Sequence, residues 1–176
     1  LVDAPWQITA GGRLGEYAVA YKERALHIGQ FVGSPSVWDW KAIAGAGCVG
    51  QDAWCDIDGA HFFVGLDSFW LFDGSRPVPV GVGQVRQWFF DNSNPDQRSK
   101  IQCIYDRQNG HVWIFYASKN SSTLDKAIVY HLATKKCGLV TIAIEVAMNY
   151  VAQGITIDGL SAVAATIDNL ESFSFD

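Results

Sequence analysis

The feature that most constrains this chain is a turn unit that returns about every 50 residues. Asp58-Gly59, Asn109-Gly110 and Asp158-Gly159 each separate two β-rich segments, and the turn glycines are 51 and then 49 residues apart. Asp-Gly and Asn-Gly favour the type I′ hairpin turn, because both central residues of that turn must tolerate φ > 0. A hairpin with this period predicts an all-β fold made of β-propeller-like repeats, in which one antiparallel blade cannot bury its own faces.

The segments around these turns divide the chain into four approximate blades. The blades are residues 16–43, 51–81, 101–142 and, as a partial blade, 147–176. We expect residues 1–176 to be a single β-repeat domain. The chain begins without a methionine and ends inside a β-rich pattern, and a propeller needs at least about four blades. The sequence therefore predicts an incomplete propeller, a fragment of a longer one.

Local patterns place several elements within these blades. Residues 1–15 are turn-rich, and residues 44–50 are too rich in glycine for a regular element, so we interpret them as a connection. One short helix is predicted near residues 84–91, with Val85, Trp88 and Phe89 on a single face.

The alternation of side chains along strands and the positions of two prolines give two further predictions about individual strands. Trp38 and Trp40 should share a face of one strand, because side chains alternate with period 2. Pro77 and Pro79 should confine the last strand of the second blade to a sheet edge, since proline cannot donate to the ladder.

Composition and charge exclude several classes of protein. Apolar residues make up 49% of the chain and charged residues 18%, which indicates a packed core and not a disordered chain. The net charge is −5, so a basic nucleic-acid-binding surface is not indicated. The sequence shows neither a signal peptide nor an apolar run of roughly 18 residues, so we expect no membrane partner.

The cysteines and histidines do not follow metal-binding patterns. Cys48, Cys55, Cys103 and Cys137 form no C-x-x-C pair, and we expect reduced structural thiols, as in a protein assembled in a cytoplasm. The histidines are His27, His61, His111 and His131, and no two stand at ligand spacing on one element. His61 and His111 follow turn glycines by two residues and one residue, so we predict the same structural role for both.

The aspartates are better explained by turns than by chemistry. Asp56, Asp58, Asp67 and Asp73 are close in sequence, but the calcium-binding loop with its terminal glutamate is missing. Asp58 and Asp73 precede glycine, as turn residues do. Nothing selects a glycosidase carboxylate pair, and the nucleophile elbow and the phosphate loop are missing from the sequence. We therefore predict a protein that is not an enzyme, with no catalytic, cofactor-binding or metal-binding residue and no cofactor.

The order of the motifs is similar to that of a known group of proteins. The motifs are Lys22-Glu23-Arg24-Ala25, Gly65-Leu66-Asp67-Ser68-Phe69-Trp70-Leu71-Phe72-Asp73-Gly74 and Val129-Tyr130-His131-Leu132-Ala133-Thr134-Lys135-Lys136. In this order they resemble the β-propeller-like virion structural proteins of tailed bacteriophages, in the tail-nozzle, tail-tube and head–tail connector group. One departure is Cys137-Gly138, where such proteins commonly carry Trp.

The resemblance implies a structural role in the virion, in the tail or the head–tail region, after assembly in the bacterial host cytoplasm. Expected partners are copies of the chain in a symmetric ring and neighbouring portal, adaptor or tail proteins. DNA would pass through the ring without specific binding, and mild acidity suits such a lumen, because few phosphates would be neutralised.

Two other functions stay open from the sequence. A carbohydrate-binding or glycan-degrading propeller, used in host-receptor recognition, predicts exposed aromatic residues beside a carboxylate pair. Complete burial of Trp54, Trp70 and Trp113 would exclude it. A bacterial Kelch-like adaptor is a third reading.

Overall fold

The computed structural model describes residues 5–80 and 83–149, which form three four-stranded antiparallel sheets. The first sheet contains β1 (Ile8–Leu14), β2 (Tyr17–Lys22), β3 (Ala25–Phe31) and β4 (Trp38–Ala44). The second contains β5 (Trp54–Asp56), β6 (His61–Val64), β7 (Phe69–Phe72) and β8 (Val78–Val80). The third contains β9 (Gln102–Asp106), β10 (His111–Tyr116), β11 (Leu124–His131) and β12 (Cys137–Ile144).

In each sheet the strands pair in the order in which they occur along the chain. Two short helices, α1 (Gln84–Asn92) and a 3-10 helix (Pro95–Lys100), join the second sheet to the third. The all-β prediction is thus confirmed in its coarse form. The turn at Asp158-Gly159 and all but the first three residues of the partial blade 147–176 lie outside the described residues.

The turn-rich interpretation of residues 1–15 is wrong, because residues 8–14 form strand β1. Gly11 and Gly12 weaken the strand pattern in the sequence. The packing of the neighbouring sheet nevertheless requires a glycine at position 12. A Cβ at this position would overlap the indole of Trp54. Leu14 pairs with Tyr17, so Gly15 and Glu16 form a two-residue hairpin loop, with Gly15 at φ 58°.

The two described turn units differ in conformation. Asp58 and Gly59 have φ values of 61° and 96°, which agrees with the predicted type I′ turn. At the second unit only Gly110 has positive φ, at 65°, so the type I′ prediction is wrong there. The loop spans residues 107–110, and the Asp106 carboxylate accepts hydrogen bonds from the backbone and side chain of Asn109.

Helix α1 is confirmed, but its predicted face is not. Phe89 is buried, with its ring centroid 5.0 Å from Phe69 and 4.9 Å from Tyr116. Phe90 also contacts Phe69, at 6.0 Å. Because neighbouring Phe89 and Phe90 define the packed side, Trp88 is turned outward and is 38% exposed.

The second sheet lies between the other two. All four residues of β6 are buried. Phe63 contacts Tyr21 of the first sheet at 4.8 Å between ring centroids, and Phe62 contacts Tyr130 of the third sheet at 6.2 Å. Since adjacent side chains of a strand point to opposite faces, β6 is covered on both faces.

The glycine-rich segment is a connection, as predicted, and it returns the chain from β4 to β5. The Gly45 N–H donates to the Arg24 carbonyl, and the Cys48 N–H donates to the Lys22 carbonyl at 3.0 Å. A Cβ at Gly47 would overlap the backbone of Lys22. Pro79 lies in β8, an edge strand of its sheet, which confirms the proline-based prediction.

We expect Gly12→Ala to destabilise the protein, because the new methyl group would displace the Trp54 indole. Overpacking of this kind costs about 1–3 kcal/mol. Gly138→Ala is the matched control, since a Cβ there meets no atom within 4 Å. Thermal unfolding of the two variants beside the parent checks the prediction, and equal melting temperatures for both variants would contradict it.

Candidate functional site

The most elaborate polar arrangement among the described residues lies where the first sheet meets the second. Tyr21 of β2 and His61 of β6 are both 0% exposed. Trp54 of β5 covers His61, with 4.6 Å between ring centroids, and lies 6.2 Å from Tyr21. We call Tyr21, His61 and the Arg13 carbonyl the inter-sheet clamp.

The hydrogen bonds of the inter-sheet clamp fix the state of the imidazole. His61 Nε2 lies 2.9 Å from the Arg13 carbonyl oxygen, and His61 Nδ1 lies 2.8 Å from the Tyr21 hydroxyl. A carbonyl can only accept, so Nε2 carries the proton, and Nδ1 accepts from the tyrosine O–H. Both side chains are therefore satisfied in the neutral form.

Burial keeps the inter-sheet clamp uncharged. It lowers the pKa of His61, opposed by the hydrogen bond to the Arg13 carbonyl and by the nearby Asp56 carboxylate. Burial also raises the pKa of Tyr21. With both imidazole nitrogens engaged and no solvent access, the arrangement holds two sheets together and offers no free base for catalysis.

His111 does not share the role of His61, so that prediction is wrong. The two residues stand at different distances from their turn glycines, and a shift of one residue reverses the face of a strand. His111 is half-buried and contacts His131 at 4.9 Å between ring centroids. His131 Nδ1 accepts from the N–H groups of Ala133 and Thr134, so this ring caps a turn.

The aspartates behave as turn residues. Asp56 accepts from the Gly59 N–H at 3.0 Å, and Asp58 forms an ion pair with Arg107. Asp73 accepts from the N–H and hydroxyl of Ser75, and these bonds lower the pKa of its carboxyl group.

The aspartates are also not gathered in one place. Asp56 and Asp67 line two different cavities. Within residues 5–80 and 83–149, no cluster of three or more His, Cys, Asp or Glu side chains could hold a metal ion.

The four cysteines are free thiols, as predicted. Burial raises the pKa of Cys48 and of Cys55 to about 12. Cys103 is buried as well, whereas Cys137 is half-buried beside α1. A thiol is a nucleophile only as the thiolate, so Cys48 and Cys55 are chemically inert at neutral pH.

One cavity of about 720 Å³ lies beside the β2–β3 turn, and it carries charges of both signs. Arg24, Asp67 and Arg98 line it together with Trp6. Arg98 lies over the Phe90 ring at 5.2 Å and donates to the Leu66 carbonyl at 3.5 Å. Because neither sign dominates, the cavity does not select a charged ligand.

An exposed apolar surface was not foreseen from the sequence. Phe31, Val32, Val37 and Trp38 are 45–62% exposed at the end of the β3–β4 hairpin. Trp38 stacks on Trp40 at 6.0 Å, which confirms that the two share a face. We call Phe31, Val32, Val37 and Trp38, together with Trp40, the β3–β4 patch. A contiguous apolar surface of this kind is typical of an interaction site.

No family model matches this chain, and no curated protein matches it. Among the described helices, none is long and apolar enough to cross a membrane.

We expect Tyr21→Phe to destabilise the protein by about 1–3 kcal/mol, because His61 Nδ1 would be left buried without a donor. Tyr17→Phe is the control, since Tyr17 lies in the same strand and is 39% exposed. Urea unfolding at pH 7.5 measures both changes, and a loss from Tyr21→Phe no larger than that of the control would contradict the structure.

The thiols should react at different rates in the folded protein. At pH 8, a group of pKa about 12 is thiolate in roughly one molecule in ten thousand, so Cys48 should resist alkylation. Cys137 is less buried and should be modified first. Timed iodoacetamide labelling with peptide mass spectrometry checks this order, and early modification of Cys48 would contradict it.

Proposed function

We propose that this chain is a non-enzymatic structural protein of a tailed-bacteriophage virion, located in the tail or head–tail connection and built as a β-propeller-like repeat. The observation that carries the proposal is the face-to-face stacking of three successive four-stranded sheets. Repeat scaffolds of this type expose long binding surfaces and act through shape and interfaces.

The arrangement of the first strands supports the propeller interpretation. Trp54 of β5 lies over Gly12 of β1. The Cys103 N–H of β9 donates to the Asp52 carbonyl just before β5, at 2.7 Å. The first strand of each sheet therefore lies near that of the next, as the innermost strands do around a propeller axis.

The motif order supports the virion assignment. The Lys22-Glu23-Arg24 motif falls at the turn between β2 and β3, and Asp73-Gly74 follows β7. Thr134-Lys135-Lys136 falls at the turn between β11 and β12, with Lys135 at φ 56°. These motifs therefore lie at or near hairpin turns, and their order along the chain is what the resemblance to phage proteins rests on.

The β3–β4 patch supports assembly with copies of the chain or with neighbouring virion proteins. Interfaces are enriched in Trp and Phe at their centres, and the patch contributes both. With a net charge of −5, the chain would not hold DNA that passes through a ring.

One observation favours the carbohydrate-binding alternative. Trp54, Trp70 and Trp113 are half-buried, so the complete burial that would exclude this function is not seen. The exposed Trp38 with Trp40 is a flat aromatic surface of the kind that sugars stack on. Asp39 lies on the opposite face of β4, so this strand places no carboxylate beside the two rings.

The oligomeric state of the protein tests the proposal. Native mass spectrometry at micromolar concentration should show a closed oligomer. Trp38→Ser should weaken association at least about tenfold, the usual minimum effect of a hot-spot residue. Ile142→Ser is the control, because Ile142 is 41% exposed on a different sheet. A monomer that binds or cleaves a host glycan would overturn the proposal and favour the alternative.

A further inference from the structure

We propose that the inter-sheet clamp is an acid-released latch, which holds the first sheet on the second at neutral pH and releases it when His61 is protonated. This inference concerns the stability of one interface, so it goes beyond the proposed function.

The hydrogen bonds of His61 occupy a special place in the fold. Among the described residues, both hydrogen bonds that join strands of the first and second sheets are made by this side chain. One leads to β2 through the Tyr21 hydroxyl, and the other leads to β1 through the Arg13 carbonyl. The remaining contacts between these sheets are apolar or aromatic packing, as between Tyr21 and Phe63.

Protonation of His61 would disrupt this arrangement in two ways. Nδ1 would become a donor and could no longer accept from Tyr21, whose O–H would then lack an acceptor in the core. The imidazolium would also be held at 0% exposure under Trp54. A buried charge without a charged partner is strongly unfavourable, so protonation favours a state in which the sheets separate.

The groups that face His61 do not compensate for this cost. From β2, Tyr21 is held neutral because burial raises its pKa. From β5, Asp56 stands opposite His61 in the strand register, and its carboxylate favours the protonated imidazole. Asp56 is exposed to solvent, however, and its effect on the pKa of His61 is smaller than that of burial. From β7, Phe72 is apolar. Arg13 of β1 offers its carbonyl, while its guanidinium donates to the Gly15 carbonyl at 2.7 Å.

The pH window follows from the direction of the shift. Burial lowers the pKa of His61 in the closed state below the value of about 6.5 that it regains when exposed. The closed state is therefore fully favoured above pH 6.5. As the pH falls further, the open population rises up to about tenfold per pH unit, until the closed-state pKa is reached.

Three aspartates with shifted pKa contribute little in this window. Hydrogen bonds lower the pKa of Asp73, Asp106 and Asp125 below the usual aspartate value. Their contribution to stability is present above that value, about 3.9, and is lost only as the pH falls below it. The acid effect of these three carboxylates therefore lies mainly below the pH range in which His61 is protonated.

Hydrogen exchange of the full chain between pH 7 and 4.5 tests the latch. After correction for intrinsic rates, amides of β1 and β2 should exchange faster at pH 5 than at pH 7, because the first sheet opens more often once His61 is protonated. His61→Gln cannot titrate and should abolish this acceleration, whereas His111→Gln should keep it. An acceleration that survives unchanged in His61→Gln would overturn the proposal.

A measurement on the unsubstituted protein covers the case in which His61→Gln fails to fold. Nitrogen NMR of ¹⁵N-histidine-labelled protein should show His61 as the Nε2–H tautomer at pH 7, with protonation coinciding with loss of protection in β1 and β2. Protonation while these amides stay protected would overturn the latch. A closed oligomer without acid opening would overturn the latch alone and leave the proposed function standing.

Discussion

Strand β6 is buried on both faces, and the placement of the other two sheets depends on this constraint. His61 and Phe63 face the first sheet, and Phe62 faces the third. A strand of four consecutive buried residues must be covered from two sides, since leaving either face in water would expose large aromatic side chains. The second sheet is therefore the layer that organises the stack.

The aromatic side chains fill the two interfaces in different ways. Toward the first sheet, the Trp54 indole occupies the space that a side chain at position 12 would fill. Tyr21 lies against Phe63 in the same interface. Toward the third sheet, the rings of Phe62 and Tyr130 stack, and α1 adds Phe89. The first interface also buries polar groups, which is why it requires a neutral, fully hydrogen-bonded histidine. The second interface is packed mainly by aromatic and apolar side chains and is joined by the backbone hydrogen bond from Cys103 to the Asp52 carbonyl.

Sequence reasoning found the features that local chemistry determines. Asp58-Gly59 was predicted as a type I′ turn because few other pairs adopt two positive φ values, and the structure agrees. Strand β1 is not evident from the sequence, because Gly12 is required by the bulk of Trp54, a residue more than 40 positions away. The orientation of Trp88 depends on which neighbour reaches the core, and a helical period alone does not determine it.

The inter-sheet clamp could not have been predicted as a pair, because 40 residues separate Tyr21 from His61. One signal was nevertheless present. His61 is followed by Phe62, Phe63 and Val64, a continuous apolar run that is typical of strands buried on both faces. A histidine in such a run must have buried hydrogen-bond partners. The β3–β4 patch gave no comparable signal, since exposed and buried aromatic residues look alike in sequence.

Two double-mutant cycles measured by urea unfolding test whether β6 is held between the other two sheets. One cycle pairs Tyr21→Leu with Phe63→Leu, and the other pairs Phe62→Leu with Tyr130→Leu. Packed aromatic pairs should each give a coupling energy of about 0.5–1.5 kcal/mol. Coupling in both cycles is the predicted result, and the absence of coupling in either one would show that the corresponding face of β6 is not covered as described.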